Sequence, residues 1–136
     1  MDEKTFKART KQFGLGVIQL VEELPRTRTA DVIGKQFLRP ATSVGANYRA
    51  ACRGRSASDL ISKLAIVEEE GDQSIYWLEL LIESGIIDSK KAAPLLKEAN
   101  ELVAMPVASI KTLRNRTTAA AAQAANSANT SPKSKI

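Results

Sequence analysis

The chain has no histidine and one cysteine, Cys52. The first absence removes the commonest general base near neutral pH and the commonest metal ligand. The second excludes an intrachain disulfide and any multi-thiolate zinc site. A single thiol suits a reducing compartment, and the cytoplasm is the expected location. Aromatic residues are 4% of the 136, with seven Gly and five Pro. That balance favours helices over a small β-barrel. No apolar run approaches the ~20 residues of a membrane span, and the start, "MDEKTFKARTK", has no apolar signal core. Phosphate loops, dinucleotide fingerprints and nucleophile elbows are also missing. The residues thus give no support for an enzyme, a cofactor or a metal.

What is present is charge in blocks. Residues 1–55 hold eleven Lys/Arg against five Asp/Glu. Residues 56–88 reverse this, with one Lys against eight acids, and 89–136 return to eight basic against two acidic residues. Such blocks arise where neighbouring helices pair opposite faces, or where one exposed face binds an anionic polymer.

Apolar residues at helical spacing mark four segments. The first runs from about Thr5 to Leu24 and stops at Pro25. The second runs from about Ala30 to Arg53, with Thr29 or Asp31 as cap and Gly54 as terminator. The third begins at Ser56, where Ser56 and Asp59 resemble a capping box, and ends near Gly85. The fourth starts at Asp88 or Ser89 and continues to about Arg116, with Pro106 predicting a kink inside it. Short connections make neighbours antiparallel, which predicts an all-α, up-down-up-down four-helix bundle over residues 1–116. Residues 117–136, rich in Ala, Ser and Asn, read as a mobile, weakly basic, disordered tail. Alanine's helix preference allows the fourth helix to extend a few turns into it.

Two projections locate the candidate surfaces. At 100° per residue, Ile33, Phe37, Ala41, Val44, Tyr48 and Ala51 fall within roughly 80° and form a core stripe. Lys35, Arg39, Arg49 and Arg53 gather on another face, in a column about 27 Å long, with Arg55 just beyond. A column of one sign suits phosphate contacts, because each cation displaces a condensed counterion. It equally suits a solvated face, or pairing with the acids of the third helix. No aromatic side chain interleaves, so binding would follow backbone and shape more than base sequence. Small residues around Gly45 permit close helix approach. Asn47, at the stripe's margin, reads as a structural amide, and Pro40 should bend the helix.

On the third helix, Leu60, Leu64, Val67, Gly71, Ile75, Leu78 and Ile82 form the expected core stripe. Ile66, Tyr76, Trp77 and Leu80 form a second apolar face. One reading buries that face against another subunit; the other makes it the edge of a broad core stripe. The acids of "VEEEGDQ" include Glu68, Glu69 and Asp72, but di-metal bundles draw carboxylates from several helices and normally add Glu-x-x-His. Cys52, at the edge of the core stripe, reads as a small buried thiol.

The stretches "RPATSVGANYRAACRGRS" (39–56), "LISKLAIVEEEGDQSIYWLELLIESGII" (60–87) and "LLKEANELVAMPVASIKTLRN" (95–115) resemble the small bacterial four helix bundle proteins. Some of these are encoded by intervening sequences within 23S rRNA genes. The resemblance spans about Lys4 to Asn115, and its most specific part is the small-residue segment around Ser43, Ala46 and Asn47. Many members carry proline where this chain has Gly45, and an aliphatic pair where it has Met105–Pro106. The tail has no counterpart. The resemblance implies a bundle that assembles as a ring, with a homopentamer expected, and no enzymatic activity. The family is also similar to the accessory variability determinant of diversity-generating retroelements, a basic pentameric barrel that works with nucleic acid and a reverse transcriptase.

Two functions follow as expectations. The first is an oligomeric bundle that binds RNA or DNA through Lys35, Arg39, Arg49, Arg53 and Arg55, with the basic tail assisting. The second is an interaction scaffold whose basic face pairs with acidic helices of neighbouring subunits or of a partner such as a reverse transcriptase. Ile66, Tyr76, Trp77 and Leu80 are the expected subunit contacts. No membrane association is expected.

Overall fold

A computed structural model describes the backbone of residues 2–135 and the side chains of residues 2–127. It contains four helices: α1 (Glu3–Glu22), α2 (Arg28–Ala51), α3 (Ala57–Glu83) and α4 (Ser89–Lys135). No strand occurs among the described residues, so the all-α architecture read from the sequence holds. Each helix packs on its neighbours in the chain, and α1 closes the bundle against α4.

Local chemistry starts and stops each helix. Asp2 accepts from the Thr5 N–H at 2.7 Å and caps α1. The cap of α2 is Thr27, whose Oγ1 accepts from the Ala30 N–H, and not the expected Thr29 or Asp31. Thr27 holds the extended backbone a cap requires, while Thr29 and Asp31 already lie within the first turn. The Ser56 hydroxyl accepts from the Asp59 N–H, as a capping box requires. The Asp59 carboxylate reaches back to the Arg55 N–H at 3.4 Å. Gly85 ends α3 at φ +80°, a conformation few other residues tolerate. Gly54 has no such φ; its N–H simply donates to the Ala51 carbonyl after α2 has ended.

The core holds Phe6, Phe13 and Val17 of α1 with Phe37, Ala41, Val44, Tyr48 and Ala51 of α2. Five of the six residues projected as the α2 stripe are therefore buried, and Ile33 packs at its edge. Phe6 and Tyr48 meet edge to face at 4.5 Å between centroids. On α3 the fully buried set is Leu64, Val67, Gly71, Ser74, Leu78 and Leu81. The expected members Leu60, Ile75 and Ile82 are only partly buried. α3 lies between α2 and α4, so its buried sector is broader than one stripe and includes Ser74 and Leu81. Buried Ser74 donates to the Glu70 carbonyl, which satisfies its hydroxyl.

Pro40 and Pro106 are both buried inside unbroken helices. Below Pro40, the Ser43 and Thr42 hydroxyls donate to the carbonyls of Arg39 and Leu38. The Arg9 guanidinium ties α1 to α4: its Nε donates to Glu98 at 3.0 Å, and a second nitrogen pairs with the same carboxylate. This fork pushes the Arg9 pKa up.

α4 runs to Lys135, past the end at Arg116 that periodicity predicts. Alanine's helix preference accounts for the direction of the difference. From residue 114 to 127 every residue is exposed, so this stretch adds no core. The residues expected as a basic tail lie within this continuation of α4. Its basic side chains, Lys133 and Lys135, and the terminal Ile136 lie outside the described residues.

Candidate nucleic-acid interface

The candidate site begins with small residues on α1 and α2. A Cβ placed on Gly45 would stand 3.4 Å from the backbone of Thr10, and one on Gly14 would stand 3.9 Å from the Cα of Thr42. These pairings fix the antiparallel register. They also leave a shallow floor, to which Ala8 and Ala46 add only methyl groups. Above the floor opens a groove of about 660 Å³. Lys4, Lys7 and Lys11 of α1 wall one side, and Arg49 and Arg53 of α2 wall the other. The register places Lys7 near the level of Arg49 and Lys4 near that of Arg53. Leu15 and Ile18 extend the same groove as its apolar end.

Among the described residues no carboxylate lines this groove. Lys7 reaches Glu3 at 3.5 Å, one helical turn earlier. Lys4, Lys11, Arg49 and Arg53 have no ion-pair partner among the described residues. Lys4 also sits in the first turn of α1, where the helix macrodipole already presents partial positive charge. Convergence of like charges against a dipole costs stability, and a bound polyanion would reverse that cost.

The column expected on α2 divides. Arg49 and Arg53 lean over the groove with α1. Arg39 turns the other way, toward α3. Its Nη2 donates to Gln73 Oε1 at 3.0 Å, and Nη1 lies 3.7 Å from Glu70 Oε2. That carboxylate oxygen is buried and accepts no hydrogen bond, so Arg39 supplies its compensating charge. Lys35 is exposed and has no ion-pair partner among the described residues, but it lies about 21 Å along α2 from Arg49. Arg55 follows the end of α2, and its N–H holds Asp59. Lys63 binds the same carboxylate at 2.9 Å and, with these backbone bonds, keeps Asp59 below the usual carboxylate range.

Lys4, Lys7 and Lys11 escaped the sequence reading, although the signal was there. At 100° per residue they share a sector of roughly 80° with Leu15 and Ile18. Only the helix register shows that this sector meets Arg49 and Arg53.

The second apolar face of α3 also divides. Ile66 and Tyr76 are exposed, at 40% and 55%. Trp77 packs partly against the core, and Leu80 is half-buried. Tyr76 stacks edge-on against Trp77 at 5.3 Å. At the end of the bundle, Cys52 lines a separate cavity of about 500 Å³ with Tyr48, Met105 and Ser109. Burial pushes the Cys52 thiol up and away from thiolate chemistry. The Asn47 amide donates to the Ser43 carbonyl, a structural bond within α2. Among the described residues no three His, Cys, Asp or Glu side chains come together as metal ligands. None of the described helices is long and apolar enough to cross a membrane.

Fold and groove together define an antiparallel helical bundle with a cationic face. Residues 4–108 match the model of the 23S rRNA-intervening sequence protein family, and the chain belongs to that family. It is similar to a crystal structure from Bacteroides thetaiotaomicron VPI-5482, described as a protein with unknown function from the S23 ribosomal protein family. The two share 32% identity at a TM-score of 0.75, over 82% of this chain and 99% of that one. No curated protein is significantly similar to the chain.

Proposed function

We propose that the protein is a non-enzymatic bundle that holds RNA, or another nucleic acid, by its backbone on the α1/α2 face. The observation that carries this reading is the convergence of five cations on one carboxylate-free groove. Lys and Arg around a small-residue floor can approach phosphates closely, and they do so without reading base edges. Arg49 and Arg53 are the central contacts of the expected set. Lys35 and Arg55 serve an extended backbone at its two ends, and Arg39 contributes least because it already compensates Glu70. Assembly through Ile66 and Tyr76 into a homo-oligomer, a pentamer by family resemblance, would multiply a weak site by avidity.

A salt titration of RNA affinity tests the reading. Each phosphate contact to a single strand contributes about −0.7 to the slope of log K against log salt. Arg49→Ala with Arg53→Ala should therefore flatten the slope by about 1.4. An unchanged slope, or no RNA binding at low salt, overturns it.

The contact of Arg39 with Glu70 and Gln73 favours a second reading for one part of the surface. There, basic α2 pairs with acidic α3, and a partner's acidic helix could be held in the same way. In this scaffold reading the partner is a neighbouring subunit, or a reverse transcriptase, as the resemblance to retroelement accessory proteins implies. Neutralising Glu69 and Asp72 would then weaken assembly and leave the salt slope of RNA binding per groove unchanged.

A further inference from the structure

The groove has two chemically different ends. Lys4, Lys7, Arg49 and Arg53 form one, and exposed Leu15 and Ile18 form the other, with Lys11 between them. Phosphate contacts explain the first end and leave the second unused. Two large apolar side chains standing 49% and 42% exposed at one end of a cation-lined groove suit a ligand that is both anionic and apolar.

We infer that the groove takes an unpaired nucleic-acid strand, with phosphates at the basic end and an unstacked base lying on Leu15 and Ile18. The inference rests on the nucleic-acid reading above and names the form that is bound. Packed helices lie roughly 8–10 Å apart between axes. A duplex is wider than that interval and can only lie across the rims, whereas one sugar-phosphate backbone can descend to the Gly45 floor. A duplex also hides its base faces in the stack, while unpaired nucleotides expose them. An acidic amphipathic helix fits less well. It needs apolar anchors at successive turns, and this groove offers them at one end only.

The test compares a single-stranded RNA with a hairpin duplex of equal phosphate number, both at one salt concentration, against the full-length protein. The expected result is a preference of about tenfold for the single strand. Leu15→Gln with Ile18→Gln should erase most of that preference and leave the salt slope unchanged, because no cation is removed. Both side chains are exposed, so a matched circular-dichroism melt shows that the fold is kept. Equal or tighter duplex binding, or a preference that survives the double substitution, overturns the inference while RNA binding itself stands. Poly-glutamate bound in the groove with no RNA affinity overturns the inference and the nucleic-acid reading together.

Discussion

Gly45 faces Thr10 so closely that a Cβ on Gly45 would stand 3.4 Å from the Thr10 carbonyl carbon and oxygen. That single approach sets both the α1/α2 register and the depth of the cationic groove. Alanine just fits, and it gains about 1 kcal/mol of helix preference over glycine, which the tight contact offsets. Gly45→Ala should therefore change stability little and keep RNA affinity. Gly45→Leu should force α1 and α2 apart, cost about 1–3 kcal/mol and weaken binding. Urea unfolding and RNA titration of both variants check the pair.

The cation cluster makes an opposite prediction for stability and binding. Lys4 lies in the first turn of α1, against the macrodipole and beside other lysines. Lys4→Glu should stabilise the fold by about 0.3–1 kcal/mol at low ionic strength. The same change should weaken RNA binding. Thermal melts with and without 0.5 M salt would show the gain shrinking as salt rises. A variant that loses stability at low salt would mean that Lys4 has a favourable partner in solution.

At the α3/α4 contact the tolerance is smaller. A Cβ on Gly71 would stand 2.6 Å from Val103 Cγ2. Valine has little freedom about χ1, so the helices themselves must move. Gly71→Ala should cost about 1–3 kcal/mol despite alanine's better helix preference. Adding Val103→Ala should recover part of that loss, which a double-mutant cycle by urea unfolding would measure.

Acid should act through the α3 cap. The Lys63 ammonium and the Arg55 N–H hold Asp59 below its ordinary range. A depressed folded pKa means that this stabilisation is present above the ordinary carboxylate pKa, about 3.9, and is lost as pH falls through the lower folded value. Asp59→Asn should flatten this part of the acid-unfolding profile by lowering stability at neutral pH, so that variant and wild type converge in acid. With no histidine in the chain, no imidazole contributes a step between pH 5 and 8.

Legibility in the sequence followed how many helices a feature needs. The α2 stripe of Phe37, Ala41, Val44, Tyr48 and Ala51 could be read from one helix, because its apolar residues recur at one period against charged neighbours. Periodicity alone places the α3 stripe one position off at Ser74 and Leu81, since a helix packed on two neighbours buries a wide sector and its polar Ser74 is satisfied internally. Half of the groove, Arg49 and Arg53, was likewise visible on one helix. The other half required α1 and α2 in register, and no single-helix projection contains that register. Pairing of the basic column with the acids of α3 stood open in the sequence, but that Arg39 alone turns to Glu70 depends on the rotation of α3, which the same limit hides. Capping was legible where a short motif sets it, as at Ser56 and Asp59, and less so at Thr27, where several threonines compete.

The exposed part of α3 carries the remaining prediction. Ile66 and Tyr76 stand on a helix whose other large apolar residues are packed wholly or partly into the bundle. Removing them costs the isolated bundle little, so their effect on assembly can be separated from their effect on folding. Ile66→Lys with Tyr76→Lys should keep the helical circular-dichroism spectrum and the melting temperature of the dissociated chain. Light scattering should show the wild-type chain as a multimer and the variant as a smaller species. RNA affinity should then fall by the loss of avidity, while the salt slope per groove stays fixed because the α1/α2 cations are untouched. A wild-type chain that is monomeric at micromolar concentration would remove this face from the account and leave the groove to act alone.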